Sequence, residues 1–224
     1  MAYILNIETA TKNCSVAIAK DGVVLLCKEV AEQGYSHAEK LHVFIEDVLR
    51  ESQLSFKDLD AIAVSQGPGS YTGLRIGVSA AKGLCFALNI PLIAVDTLAV
   101  LAAQAAISDG IIVPMIDARR MEVYSAIFNS KHEKTREVQA EIIDEDSFSE
   151  LDETVYFVGD CAQKCQTVLT RANFVFLDKI VYPSAREMAV LSDVKYKKND
   201  TVDVAYFEPY YLKDFMITAS GKQL

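Results

Sequence analysis

The chain reads as an α/β protein assembled from two related units. Three observations carry that expectation: a β-rich meander opens the chain, strands and helices alternate after it, and a similar but degraded order restarts near Asp109-Gly110. The 224 residues are 51% hydrophobic and 24% charged, enough apolar material for one large domain or two modest ones. The expected division is residues 1–109 and 110–224, with the second unit the more degenerate.

Each element follows from local chemistry. Residues 3–8 are apolar and β-rich, 9–13 form a polar turn, and 14–19 make a second strand. Lys20-Asp21-Gly22 turns the chain into a third strand over 23–30, because Asp-Gly between two β-rich runs is a hairpin signal. Ser36 is placed to cap a helix over 36–52, with Glu39 as its capping-box partner. Leu41, Phe44, Ile45, Val48 and Leu49 form its apolar stripe, and Val43 lies off it. A strand over 59–65 leads through Gly67-Pro68-Gly69 into a helix over 73–88, with Ser70 and Thr72 as candidate caps. Pro91 precedes a strand at 92–95, and Asp96 or Thr97 caps an alanine-rich helix over 98–107. The second unit is expected to hold strands at 111–116, 123–128, 135–142 and 154–158. Helices are expected at 161–170 and 184–191, followed by an extended tail at 208–213.

Charge and composition exclude several functions. A net charge of −9 argues against this chain gripping a nucleic-acid backbone by itself, since that needs clustered Lys and Arg. No charged segment with an apolar core resembles a signal peptide, and no uncharged run would span a bilayer. The five cysteines are odd in number and lie mostly in apolar segments, as reduced thiols of a cytoplasmic protein would.

The chemistry-bearing candidates concentrate in the glycine turn and the helix after it. A glycine loop feeding a helix N-terminus can hold an anion, because free N–H groups and the helix dipole point outward there. Only Gly159 and Gly221 follow Gly110, however, so the second half offers no glycine-rich loop for an adenosine. The turn Thr9-Ala10-Thr11-Lys12-Asn13 after Glu8 has no glycine either, and reads as a hydrogen-bonded hairpin turn. His37 and His42 are spaced i, i+5, on different sides of a helix, and read as surface residues, not metal ligands. Cys161 and Cys165 lack further ligands nearby, and Ser65, Ser70, Thr72 and Ser79 lack a base, His132 being remote in sequence. The helix over 73–88 carries one polar seam, Arg75, Ser79 and Lys82, and is otherwise small or apolar. Either a thick internal core or a partner helix would account for that excess.

The order of elements is what an actin-like or sugar-kinase-like ATPase architecture needs. Residues 66–75 (QGPGSYTGLR) and Asp117-Ala118-Arg119 with Glu122-Val123-Tyr124 make the resemblance specific: the chain resembles the bacterial TsaB (YeaZ) family. The resemblance implies a two-lobed actin-like fold and a non-catalytic subunit that pairs with TsaD to make threonylcarbamoyladenosine beside the tRNA anticodon. It implies pairing through the first two helices of the N-terminal unit, for which Val43, Ile76 and Ala80 are the nominated contacts. Gly67, Pro68, Gly69 and Gly73 then serve to launch the second helix. It further implies a TsaE-like small ATPase in the assembly, a homodimer when alone, and contact with tRNA only through the complex. No cofactor is expected on this chain alone, and ATP or ADP would sit at the partner interface. The alternative is a self-sufficient ATPase or metal-dependent, glycoprotease-like enzyme of the same fold.

Overall fold

The computed structural model describes residues 1–31 and 37–212. Two five-stranded mixed sheets organise them. The first contains β1 (Tyr3–Glu8), β2 (Asn13–Lys20), β3 (Val23–Ala31), β4 (Ala61–Gly67) and β5 (Leu92–Asp96), in the order β3-β2-β1-β4-β5. The second contains β6 (Ile111–Asp117), β7 (Glu122–Asn129), β8 (Lys134–Ile142), β9 (Val155–Val158) and β10 (Phe174–Phe176), in the order β10-β9-β6-β7-β8. Read from its other edge, the second order repeats the first, with two antiparallel hairpins and then two parallel neighbours in each. The Asp-Gly hairpin forms as expected, with Asp21 and Gly22 both at positive φ.

Five helices cover the sheets: α1 (His37–Glu51), α2 (Tyr71–Leu88), α3 (Thr97–Ala102), α4 (Ala162–Cys165) and α5 (Ala185–Lys197). Strand alternation sorts the first sheet into two faces. Leu5, Ile7, Val16, Ile18, Ile62 and Val64 pack under Leu41, Ile45, Val48 and Leu49 of α1 and Val78, Ala81 and Cys85 of α2. The opposite face, with Ile4, Ala61, Ala63, Ile93 and Val95, is covered by Val100 of α3 and Met188 of α5. Leu98, Leu101 and Ala102 of the same α3 bury against Ile112, Ile116, Ala126, Phe128 and Val158 of the second sheet. A single six-residue helix therefore serves both sheets. The far side of the second sheet closes on Phe157, whose ring lies 5.0–5.5 Å from those of Phe148, Phe174 and Phe176.

Several boundaries differ from the sequence expectation. The helix expected at 98–107 stops at Ala102, and the one at 161–170 shrinks to the single turn of α4. Strand β10, only three residues long, carries no turn signal strong enough to mark it. α5 runs on to Lys197, past the expected end at Leu191 and through polar Ser192 and Asp193. Those two residues face inward: Ser192 Oγ donates to Asn6 Oδ1 (2.6 Å) and Asp193 pairs with Lys197 (2.6 Å). Ser70 caps α2, its Oγ accepting from Gly73 N, while Thr72 lies inside the first turn and caps nothing. The expected Ser36 cap and Lys213 fall outside the described residues. α5 and the segment after it pack on the first sheet, so the stretch beyond Gly110 supplies cover to both sheets.

Candidate functional site

The glycine turn after β4 and the turn between β1 and β2 meet head on. Ser70 N donates to Ala10 O (2.6 Å), and Thr9 Oγ1 donates to Gly73 O (2.8 Å). A Cβ on Gly69, Gly73 or Gly77 would fall well under 3.0 Å from Ala10 O, Thr9 O and Thr9 Oγ1 respectively. These glycines let the first turn of α2 lie directly on residues 9–10. The space beside Gly69 and Gly73 is taken up by the backbone of Ala10 and Thr9. Gly67, at φ +112°, is covered by Tyr210: its missing Cβ would lie 2.7 Å from Tyr210 O, and Tyr210 N donates to Gln66 O (2.7 Å). Gly67 N in turn donates to Thr97 Oγ1 (3.1 Å). Pro68 is buried in the same loop.

Glu8 ends β1 beneath this turn and is wholly buried. Its Oε1 accepts from Ala10 N (2.6 Å) and Ser65 Oγ (3.0 Å), while Oε2 has no hydrogen-bond partner among the described residues. Burial outweighs those hydrogen bonds and raises its pKa to about 7. His37 is buried too, with Nε2 2.8 Å from Thr11 O, so it is a support of the turn and not the surface residue its spacing suggested. His42 is exposed as expected. Among the described residues no group of three or more His, Cys, Asp or Glu is arranged to hold a metal.

The corresponding turn of the second sheet, between β6 and β7, forms a separate ionic cluster. Asp160 Oδ1 accepts from Asp117 N (2.9 Å), and Lys164 pairs with Asp117 and donates to Arg120 O (2.6 Å) and Glu122 O (3.2 Å). Arg119 and Arg120 hold positive φ there. Burial raises the Asp160 pKa, opposed by the Asp117 N–H and by Lys12 and Lys164. The sequence marked Asp117 and Arg119 but not Asp160 or Lys164, which arrive from α4 and the loop before it. Cys161 and Cys165 sit in the Phe157 core as free thiols.

The outer face of α2 is the other candidate. Toward the sheet it buries Leu74, Gly77, Val78, Ala81 and Cys85. The predicted polar seam holds the C-terminal segment: Lys82 donates to Ala205 O (3.2 Å) and Phe207 O (2.9 Å), and Arg75 donates to the Tyr211 hydroxyl (3.3 Å). Arg75 also stacks 4.2 Å from the Tyr71 ring, itself 5.0 Å from Tyr211. Apart from exposed Thr72 and Ser79, what remains on the outside is apolar or glycine. Ile76 and Ala80 are half-buried, Gly83 has open space around its missing side chain, and Phe86 is 85% exposed. Val43 of neighbouring α1 is 51% exposed. In the sequence Phe86 is one apolar residue among the many of α2. Its spacing of i+4 from Lys82 and i+7 from Ser79 places it on the solvent seam and could have found it.

Comparison with known proteins adds a family. The family model described as TsaD, tRNA N6-adenosine threonylcarbamoyltransferase, matches residues 27–218. The chain is 32% identical over 220 residues to the tRNA threonylcarbamoyladenosine biosynthesis protein TsaB of Escherichia coli strain K12, covering 94% of each. It belongs to the TsaB (YeaZ) branch of that family. The solved structure of YeaZ from Pseudomonas aeruginosa superposes with a TM-score of 0.83 at 28% identity, covering 95% of this chain and 100% of that one. A tRNA N6-adenosine threonylcarbamoyltransferase of Bacillus thuringiensis strain Al Hakam is 39% identical over 111 residues, 43% of this chain and 32% of that protein. The α/β fold with doubled sheet order is thus that of the solved YeaZ structure. Among the described residues no helix is long and apolar enough to cross a membrane.

Proposed function

We propose that this chain is a non-catalytic scaffold that supports threonylcarbamoyl transfer to tRNA adenosine by pairing, through α1 and α2, with a TsaD-type catalytic subunit. The observation that carries this reading is the set of half-buried Ile76 and Ala80, open Gly83 and exposed Phe86 on α2, with exposed Val43 on α1, the helix packed beside it. An apolar helix face with small residues at its centre suits close approach of another helix. The packed glycine turn supports the non-catalytic half of the proposal, since Gly67, Gly69 and Gly73 serve backbone contacts within the chain. In this reading residues 1–109 carry the docking helices, and the stretch from Gly110 forms the second lobe and returns α5 to the first sheet. A TsaE-like ATPase joins the pair, the chain self-associates when alone, and tRNA is reached only through the complex in the cytoplasm. Any ATP or ADP lies at the partner interface.

Ala80→Glu tests the proposal. A carboxylate there cannot be desolvated between helices without large cost, so co-purification with the TsaD-type subunit should fall sharply while the melting temperature stays near that of the parent. Unchanged assembly in Ala80→Glu and in Ile76→Glu would overturn the docking assignment. Calorimetric titration of the isolated chain with ATP and with zinc tests the non-catalytic half, which tight binding of either would overturn.

A further inference from the structure

A polar cavity of about 340 Å³ lies away from the α2 face, between the end of β3, the turn after α3 and the N-terminus of α5. That volume is in the range of small-molecule sites, roughly 300–1,000 Å³. Its polar lining includes Asn13, Glu29, Gln104, Lys179, Arg186 and Glu187. None of the glycine-turn residues or the Asp117–Lys164 cluster contributes to it.

The charges in this cavity are left unmatched in a specific way. Glu29 is held by donors on one oxygen only: Oε2 accepts from Ser184 Oγ (2.6 Å), Ser15 Oγ (3.3 Å) and Asn13 Nδ2 (3.3 Å). Its Oε1 has no hydrogen-bond partner among the described residues. Glu187 Oε2 is shielded from solvent and has no partner among them either. Burial pushes the Glu187 carboxyl upward and the charge of Glu29 adds to it, against a hydrogen bond from its own backbone and the charge of Arg186. Gln104 spends its amide N–H on Tyr182 O (2.8 Å), leaving its oxygen as a further acceptor. At the mouth, Lys179 and Arg186 are exposed and make no ion pair among the described residues. Two acids and two bases line one concavity without neutralising each other.

We propose that this cavity binds a small zwitterion, its ammonium group held by Glu29 and Glu187 and its acidic group by Lys179 and Arg186. A ligand of that kind supplies a donor to the unpartnered Oε1 of exposed Glu29, beside the Glu187 carboxyl, and an acceptor to the two unpaired cations, with no net change of charge in the site. A lone cation would leave Lys179 and Arg186 unmatched, and a lone anion would leave the carboxylates so. The assignment is independent of the docking face on α2.

The test uses the full chain with the standard L-α-amino acids as probes, by thermal shift and then calorimetry. Each amino acid that binds is compared with its decarboxylated amine and its N-acetylated acid. At least one amino acid should give saturable binding, and removing either charged group should weaken it by about tenfold or more, the loss of one charge-assisted hydrogen bond. Glu187→Gln and Lys179→Ala should weaken it similarly, and Lys179→Ala, at an exposed position, should leave the unliganded melting temperature unchanged. The proposal is overturned if no amino acid binds below about 10 mM, if binding survives intact in both variants, or if methylamine or inorganic phosphate alone binds as well as any amino acid.

Discussion

Glu8→Gln should make the protein's stability less sensitive to alkaline pH. Glu8 is fully buried, with two donors on Oε1 and none on Oε2, and its pKa rises from 4.5 to about 7. A raised folded-state pKa favours the neutral acid in the native protein. Its contribution is complete below the unfolded value of 4.5 and is lost as pH rises through about 7. At 1.36 kcal/mol per unit the full loss is about 3 kcal/mol, of which about 2.5 kcal/mol falls between pH 5 and pH 8. Glutamine keeps an acceptor for Ala10 N and Ser65 Oγ and cannot ionise. Urea unfolding of both proteins at pH 5 and pH 8 reads the effect as a double difference, which cancels the raised pKa values of Asp160 and Glu187 common to both. The variant should gain about 2 to 3 kcal/mol on the parent over that interval. A parallel pH dependence in the two proteins would show that Glu8 is charged and hydrated in the fold, and the reasoning from burial would fail.

Three further outcomes concern α2. Gly73→Ala places a methyl against the backbone carbonyl of Thr9, which cannot yield as a side chain would, and should cost more than about 2 kcal/mol in denaturant unfolding. Gly83→Ala, with open space at its Cβ, should instead stabilise α2 by about 0.5–1 kcal/mol; equal effects at both sites would refute the packed-turn account. Phe86→Ala, at an 85% exposed position, should change stability by less than about 0.5 kcal/mol yet reduce capture of the TsaD-type subunit. A large loss of stability with intact capture would assign Phe86 to the fold.

Local chemistry made much of the architecture legible. Asp-Gly at residues 21–22, the 3.6-residue stripe of α1, and Asp96 as a cap accepting from Leu98 N and Ala99 N all act within a few residues, so they can be read along the chain. What escaped depends on contacts across it. Ser192 looked like a stop because nothing near it in sequence announces Asn6 as a partner 186 positions away. His37 looked like a surface residue because the Thr11 carbonyl that buries it belongs to another element. The glycines of residues 67–77 stand out along the chain, but only the fold reveals what they admit: Tyr210 backbone at Gly67, Ala10 and Thr9 backbone at Gly69 and Gly73, and the Thr9 side chain at Gly77. Lys164 and Asp160 joined Asp117 through topology alone, without spacing to suggest it.

The return of α5 to the first sheet has a consequence for how the protein is made. Ile4, Ala61, Ala63, Ile93 and Val95 are all synthesised before residue 96, yet Met188 is among the side chains that cover them. During synthesis that apolar face waits for about ninety more residues to emerge, at about 5–20 residues per second. The first sheet is begun early and finished last, and for several seconds of every chain's birth its α5 side is open to whatever else is in reach.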